Sequence, residues 1–326
     1  MIFRKTLKIL DAVIGIESNR EDLLPKIPCP VCVNSLLTDF RMIEEVPLES
    51  KKNGQIIVHE SPGKLSYSGS DTEFMFSGPF HSLIRSASDS RFSLWGNQGF
   101  LYRYVLYLLE KYHQIYSFHA AALYEEDEKR MFIIAGGAGS GKTVFILNGL
   151  LKKLKLFSTE TVHFRMSSRN VTWYMGSLVD NVRVGTLNND FPSFYSGCGD
   201  ADIHDEWEKK VAIDLSSYAV KRSEIINPSE VVVLFPRIEE GRKEFILSPF
   251  TNKQIISRRL FDNISQKISE SIVLYDSMPV TGFDTKPLSE KRLYFIDQLV
   301  HKNFLTRTAT VLSDPKNCWG TILDDR

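Results

Sequence analysis

Cysteine is scarce in this chain of 326 residues: Cys29, Cys32, Cys198 and Cys318 are all there is. Four are too few for a fold built on disulfides in a chain long enough to bury a sizeable core, so reduced thiols are expected. An excess of charge of either sign is also lacking. Lysine plus arginine and aspartate plus glutamate both number 40, so no global field draws the chain to nucleic acid or to an anionic membrane, and any basic surface is local. No uninterrupted apolar run is long enough to cross a bilayer, and the most hydrophobic helical stretch, 100–112, carries Arg103 and Glu110 and reads as a buried helix. The N-terminus starts basic, but Asp11 and the want of an apolar h-region argue against a secretory signal, and a cytoplasmic location is expected. Internal repeats and low-complexity tails are absent too. A chain that is 43% hydrophobic and 25% charged is neither largely disordered nor fibrous, and its length allows one large α/β unit or two smaller ones.

What is present divides the chain. Residues 1–97 are rich in turn signals and poor in helical periodicity, and short segments at 55–58, 64–67 and 73–76 predict a mainly β portion with antiparallel strands. A helix at about 99–113 leads into a second portion, 98–326. There, apolar runs at 117–124 and 131–135 flank a charged turn and read as two strands, and Val144, Leu147, Leu150, Leu151 and Leu154 recur at helical spacing. Further strands are expected at 156–158, 161–166, 171–175, 211–215, 231–235, 245–247 and 305–312. Helices are expected from a cap at Thr251 to about 268 and over 288–300. Residues 185–208 mix Gly, Asn, Pro, Ser and Asp with little periodicity and read as a long loop.

The most specific motif is Gly136-Gly137-Ala138-Gly139-Ser140-Gly141-Lys142-Thr143, a full match to the Walker A pattern GxxxxGK followed by Ser or Thr. Backbone N–H groups of such a loop, continuing to Val144, point at phosphate oxygens, and glycine lets the main chain turn tightly and approach closely. Lys142 would reach the β- and γ-phosphates of ATP, Thr143 would place its hydroxyl on Mg²⁺, and the following helix adds its positive end. A strand before the motif and an amphipathic helix after it supply the context this reading needs. An aspartate of Walker B type is missing, because the very apolar run 231–235 ends in Pro236 and Arg237.

Three further features accompany the loop: the strand opening with Phe118-His119-Ala120-Ala121-Ala122, the hairpin, and Leu156-Phe157-Ser158-Thr159-Glu160, with Glu160 seventeen residues after Thr143. With these the chain, over about 100–270 and more loosely to 314, resembles the HPr kinase/phosphorylase-like kinases, whose P-loop core is related to that of phosphoenolpyruvate carboxykinases. The resemblance implies an α/β fold: a P-loop kinase core with a mixed β-sheet flanked by helices, here preceded by the mainly β portion. It implies transfer of the ATP γ-phosphoryl group, with Mg²⁺, to the hydroxyl of a small metabolite or a protein serine. Catalysis then falls to Glu160, His119 and Lys142, and the metal to Thr143 and Glu160. The chain departs from the pattern at Thr159, where the family usually has the first of two acidic residues. One carboxylate task must then move to Asp180, Asp200, Asp202, Asp205 or His119, or else the protein is a nucleotide-binding regulator with little transfer, or an NTPase coupled to conformational change.

Other residues have plain readings beside functional ones. His119 on an apolar strand is either a buried core histidine or a neighbour of the transferred phosphate, and Glu160 is either a strand-edge carboxylate or a metal partner or base. Lys253, Arg258 and Arg259 form a solvated basic face or a phosphate clamp, and Arg183 has similar standing. Cys29-Pro30-Val31-Cys32 lacks a second CxxC or a histidine pair at finger spacing, so no metal is expected there. Phe191, Phe194 and Tyr195 are a substrate lid or anchors that pin the loop. Neither the acceptor nor the oligomeric state, including a homo-oligomer, is legible.

Overall fold

A computed structural model describes residues 1–26, 39–137, 139–194 and 207–323. The chain divides into two units, Met1–Tyr116 with Ile264–Arg292, and Ser117–Asn263 with Leu293–Arg326. Both are mixed α/β, and six α-helices are present among the described residues.

In the first unit, alternating side chains bury Leu7 and Ile9 on strand Phe3–Ile9, and Ala12, Ile14 and Ile16 on strand Ala12–Ser18. A two-residue turn with Leu10 at φ 52° joins them, because Ile9 pairs with Ala12. The sheet runs in the order Ile43–Glu45, Phe3–Ile9, Ala12–Ser18, Gly54–Glu60, Glu73–Gly78, Ser66–Gly69. The expected antiparallel arrangement is only partly right. Ala12–Ser18 pairs with Gly54–Glu60 in parallel, as does Gly54–Glu60 with Glu73–Gly78. Each of these pairs is joined by a connection longer than a hairpin, which leaves parallel pairing open where alternation alone cannot choose direction.

The helix Phe100–Leu108 has every residue buried and continues as a π-helical turn, Leu109–His113, ending at Gln114 with φ 55°. A helix apolar on all sides belongs inside a core. Its one charge, Arg103, donates to the carbonyls of Lys267 and Glu270 and to the Glu270 carboxylate. Nearby, Arg292 is completely buried and pairs with Glu110 at 2.9 Å and with Asp284 at 3.0 Å. A hairpin, Ile272–Leu274 with Met278–Val280, was not anticipated from the sequence.

In the second unit the main sheet has the order Lys155–Ser158, Ala120–Glu125, Arg130–Ala135, Glu230–Ile238, Arg307–Ser313, Ile246–Pro249. Arg130–Ala135, Glu230–Ile238 and Arg307–Ser313 are parallel, and the flanking strands are antiparallel. All six residues of Arg130–Ala135 are buried, as a central strand covered on both faces requires. The helix Lys142–Leu151 buries Phe145, Ile146, Leu147 and Leu150. A smaller sheet includes Val162–Met166, Val171–Tyr174 and Ile225–Ile226, and Val179–Arg183 pairs with Lys210–Asp214.

Two local expectations need correction. The stretch read as loop from 185 begins as a helix, Val184–Asp190, because Val184, Leu187 and the following Phe191 fall on one buried face. The helix Lys253–Ser269 is capped by Asn252 rather than Thr251, since Asn252 Oδ1 accepts from the backbone N–H groups of Gln254 and Ile255.

Candidate functional site

The glycine-rich turn leaves the buried end of Arg130–Ala135 and enters the helix Lys142–Leu151. Gly139 and Gly141 have φ of +77° and +98°, which side chains with a Cβ rarely adopt, and a Cβ on Gly141 would also run into Ile238. Gly141 caps the helix without a side-chain acceptor, so no side chain of the cap competes for the first-turn N–H groups. Within the turn, Ser140 N–H donates to Gly137 O at 3.3 Å, and Lys142 Nζ donates to the carbonyls of Gly136 at 2.7 Å and Gly137 at 3.3 Å. The lysine thus folds back onto its own loop. Ser140 Oγ is buried with no hydrogen-bond partner among the described residues. Val144 lies in the first helical turn, and Ala138 lies outside the described residues.

Thr143 Oγ1 donates to Asp180 Oδ2 at 2.9 Å. Asp180 is 3% exposed, and burial, followed by the negative charge of Glu160, pushes its carboxyl up to about 7, against the pull of Thr143, Asn181 and Lys142. Of the five residues named for the missing acidic position, Asp200, Asp202 and Asp205 lie outside the described residues, and among the described ones Asp180 hydrogen-bonds to the loop threonine. The sequence held a signal for it: Leu178, Asp180, Val182 and Val184 alternate as a buried row along the strand Val179–Arg183 and its two flanks, and a carboxylate in an apolar row asks for a reason.

His119 is 8% exposed, and its Nε2 stands 3.3 Å from Glu160 Oε2, while Asn263 Nδ2 donates to the His119 carbonyl at 2.9 Å. The Glu160 side chain is 38% exposed, so solvent reaches it beside its contact with the imidazole. Thr159 is buried, and its hydroxyl donates to Val179 O at 2.7 Å and Ser177 O at 3.2 Å. A carboxylate there would face two carbonyl oxygens. The departure from the acidic pair is therefore matched by its surroundings.

Among the described residues no cluster of three or more His, Cys, Asp or Glu side chains forms a ready cage for a metal. The donor set at the loop still suits Mg²⁺, a hard cation that takes few protein oxygens and fills its shell with water and phosphate. Thr143 and Asp180 offer two such oxygens 2.9 Å apart, and Asp180 is a buried carboxyl that gains from a nearby cation.

Most of the other candidates have partners of their own or lie outside the described residues. Arg259 lies over the rings of Phe250 at 4.6 Å and Phe235 at 5.3 Å, Lys253 donates to Asn303, and Arg258 is exposed on the same helix, as a basic face does. Arg183 donates to Trp207 O. Phe191 is buried and contacts Phe194, which contacts Tyr218, so this pair anchors its segment. Cys29, Cys32, Tyr195, Cys198, Asp200, Asp202 and Asp205 lie outside the described residues.

No family model and no curated protein matches the chain. Among solved structures it is similar to the Hpr(Ser) kinase/phosphatase from Coxiella burnetii, with 14% identity over 57% of this chain and 95% of that one and a TM-score of 0.23. A likeness that weak carries no weight for fold or chemistry, and the functional reading rests on the residues themselves.

Proposed function

We propose that the protein is a kinase that uses ATP and Mg²⁺ to phosphorylate a hydroxyl. The observation that carries this reading is the glycine loop with its Lys142, its Thr143 hydrogen-bonded to Asp180, and Glu160, in contact with His119, close enough to act on the Asp180 carboxyl. Lys142 and the loop amides hold the β- and γ-phosphates, and the orphaned Ser140 hydroxyl adds a donor. Thr143 and Asp180, with Glu160 close enough to act on the Asp180 carboxyl, would hold Mg²⁺, which would neutralise phosphate charge. The half-exposed Glu160 accepts the proton of the acceptor hydroxyl. As the acceptor oxygen bonds to the γ-phosphorus, the bond to the β–γ bridging oxygen breaks and ADP leaves. His119 positions Glu160 through Nε2.

Calorimetry and product formation test this. Lys142→Ala is expected to weaken ATP binding tenfold or more, because the phosphate charge then faces only backbone dipoles. Glu160→Gln is expected to leave binding nearly unchanged and to cut turnover by roughly 10², the scale for losing a positioned acid–base group. The acceptor panel includes free serine, sugars, nucleosides and peptides. Tight ATP binding with no transfer to any of them would instead favour a nucleotide-binding regulator, and ATP consumption without an acceptor an NTPase coupled to conformational change.

A further inference from the structure

A cavity of about 260 Å³ opens in the second unit where the starts of strands Glu230–Ile238 and Arg307–Ser313 meet the first turn of helix Lys253–Ser269. None of its lining residues belongs to the glycine loop or to the Asp180, Glu160 and His119 group. Its volume is several times that of a water molecule and near the lower end of small-molecule sites. The wall is mostly aliphatic, with Val232, Leu234, Leu247, Ile256, Val300 and Leu305.

Two cations stand in this wall, and they differ. Arg307 is paired with the Glu230 carboxylate at 3.3 Å. Lys253 instead donates to Asn303 Oδ1 at 3.1 Å, a neutral amide, and has no carboxylate partner among the described residues. Two of the three lining threonine hydroxyls are spent: Thr306 donates to Val231 O and Thr308 to Phe250 O, while the third belongs to Thr251. The cavity therefore offers an apolar body, the Thr251 hydroxyl and the ammonium of the solvent-exposed Lys253, which has no carboxylate partner among the described residues.

We propose that this cavity binds a small amphipathic carboxylate, with its hydrocarbon part against the aliphatic wall and its carboxylate on Lys253 Nζ. A nucleotide or a sugar would leave its polar groups against that wall without partners. An uncharged hydrocarbon ligand would fill the space but leave the ammonium without an anion. The proposal is independent of the nucleotide reading, since it concerns different residues and needs no ATP.

The test is titration of the full-length protein, without nucleotide, with octanoate below its micellar range and with 1-octanol as the uncharged isostere. One saturable octanoate site is expected, with 1-octanol weaker by tenfold or more. Lys253→Met, which keeps the aliphatic stem, is expected to lower octanoate affinity by a similar factor while the melting temperature without ligand stays put. Absence of saturable octanoate binding, equal affinity for acid and alcohol, or an indifferent Lys253→Met would each overturn the proposal.

Discussion

Each unit buries a carboxylate, and the two are treated in opposite ways. In the first unit Glu110 is 4% exposed and accepts three hydrogen bonds from the Arg292 guanidinium, which also binds Asp284. Burial pushes the Glu110 carboxyl upward and the arginine pulls against it. In the second unit Asp180 is just as buried, yet its side-chain donor is a threonine hydroxyl and a near charge is another carboxylate, Glu160. A carboxylate kept for structure is neutralised from within the fold. One left under-neutralised beside a glycine loop suits a cation-dependent site.

The comparison breaks most visibly at Arg292. Arg292→Met leaves Glu110 buried without its counter-charge and is expected to cost about 3–5 kcal/mol, read as a large fall in the urea midpoint. Adding Glu110→Gln removes the stranded charge, so the double variant is expected to regain much of the loss. If the double variant is as unstable as the sum of its parts, the network is not the ion pair described.

At Asp180 the opposite is expected. Its value in the fold, about 7, lies above its ordinary 3.8, so between those values the native state keeps a proton that the unfolded chain has lost. Stability then falls as pH rises from about 4 to about 7 and levels off above. Asp180→Asn keeps an acceptor for Thr143 and escapes this penalty, so its melting temperature is expected to gain on the wild type through that window. The same variant is expected to weaken ATP binding in the presence of Mg²⁺ by roughly 10–100-fold, and binding without Mg²⁺ far less. A variant that loses ground as pH rises, or binds equally with and without the metal, would refute the role given to Asp180.

Legibility in the sequence follows the same division. The glycine loop is readable because its determinants, Gly139, Gly141, Lys142 and Thr143, are contiguous and their backbone demands are local. Strands such as Arg130–Ala135 and Gly54–Glu60 are readable from apolar runs and alternation. The parallel pairing of Ala12–Ser18 with Gly54–Glu60 is not, since direction is chosen by tertiary packing across a long connection. Asp180 could be named only as one of five, because the hydrogen bond that selects it spans 37 positions. The helix Val184–Asp190 was hidden by its Gly and Asn, residues of poor helix propensity that the burial of Val184 and Leu187 outweighs.

The smallest effect sharpens the comparison at Thr159, where a hydroxyl stands in place of an acidic residue. By resemblance alone, Thr159→Asp would restore a usual pair and raise turnover or leave it level. The geometry predicts otherwise, because the Thr159 hydroxyl donates to the carbonyls of Val179 and Ser177, and an ionised carboxylate can donate to neither. Thr159→Val, which keeps the shape and leaves the two carbonyls without this donor, is expected to cost about 0.5–1.5 kcal/mol at any pH. Thr159→Asp is expected to cost somewhat more at pH 8 and less at pH 5, since a protonated carboxyl can donate where the hydroxyl did. The sign follows from linkage: burial against carbonyl oxygens raises the introduced group's folded value, so its penalty grows as pH rises. Denaturant midpoints of both variants at the two pH values check this. An aspartate variant as stable as the wild type at pH 8, with faster transfer, would show that the pocket opens to accept the second carboxylate and that Asp180 is not its replacement.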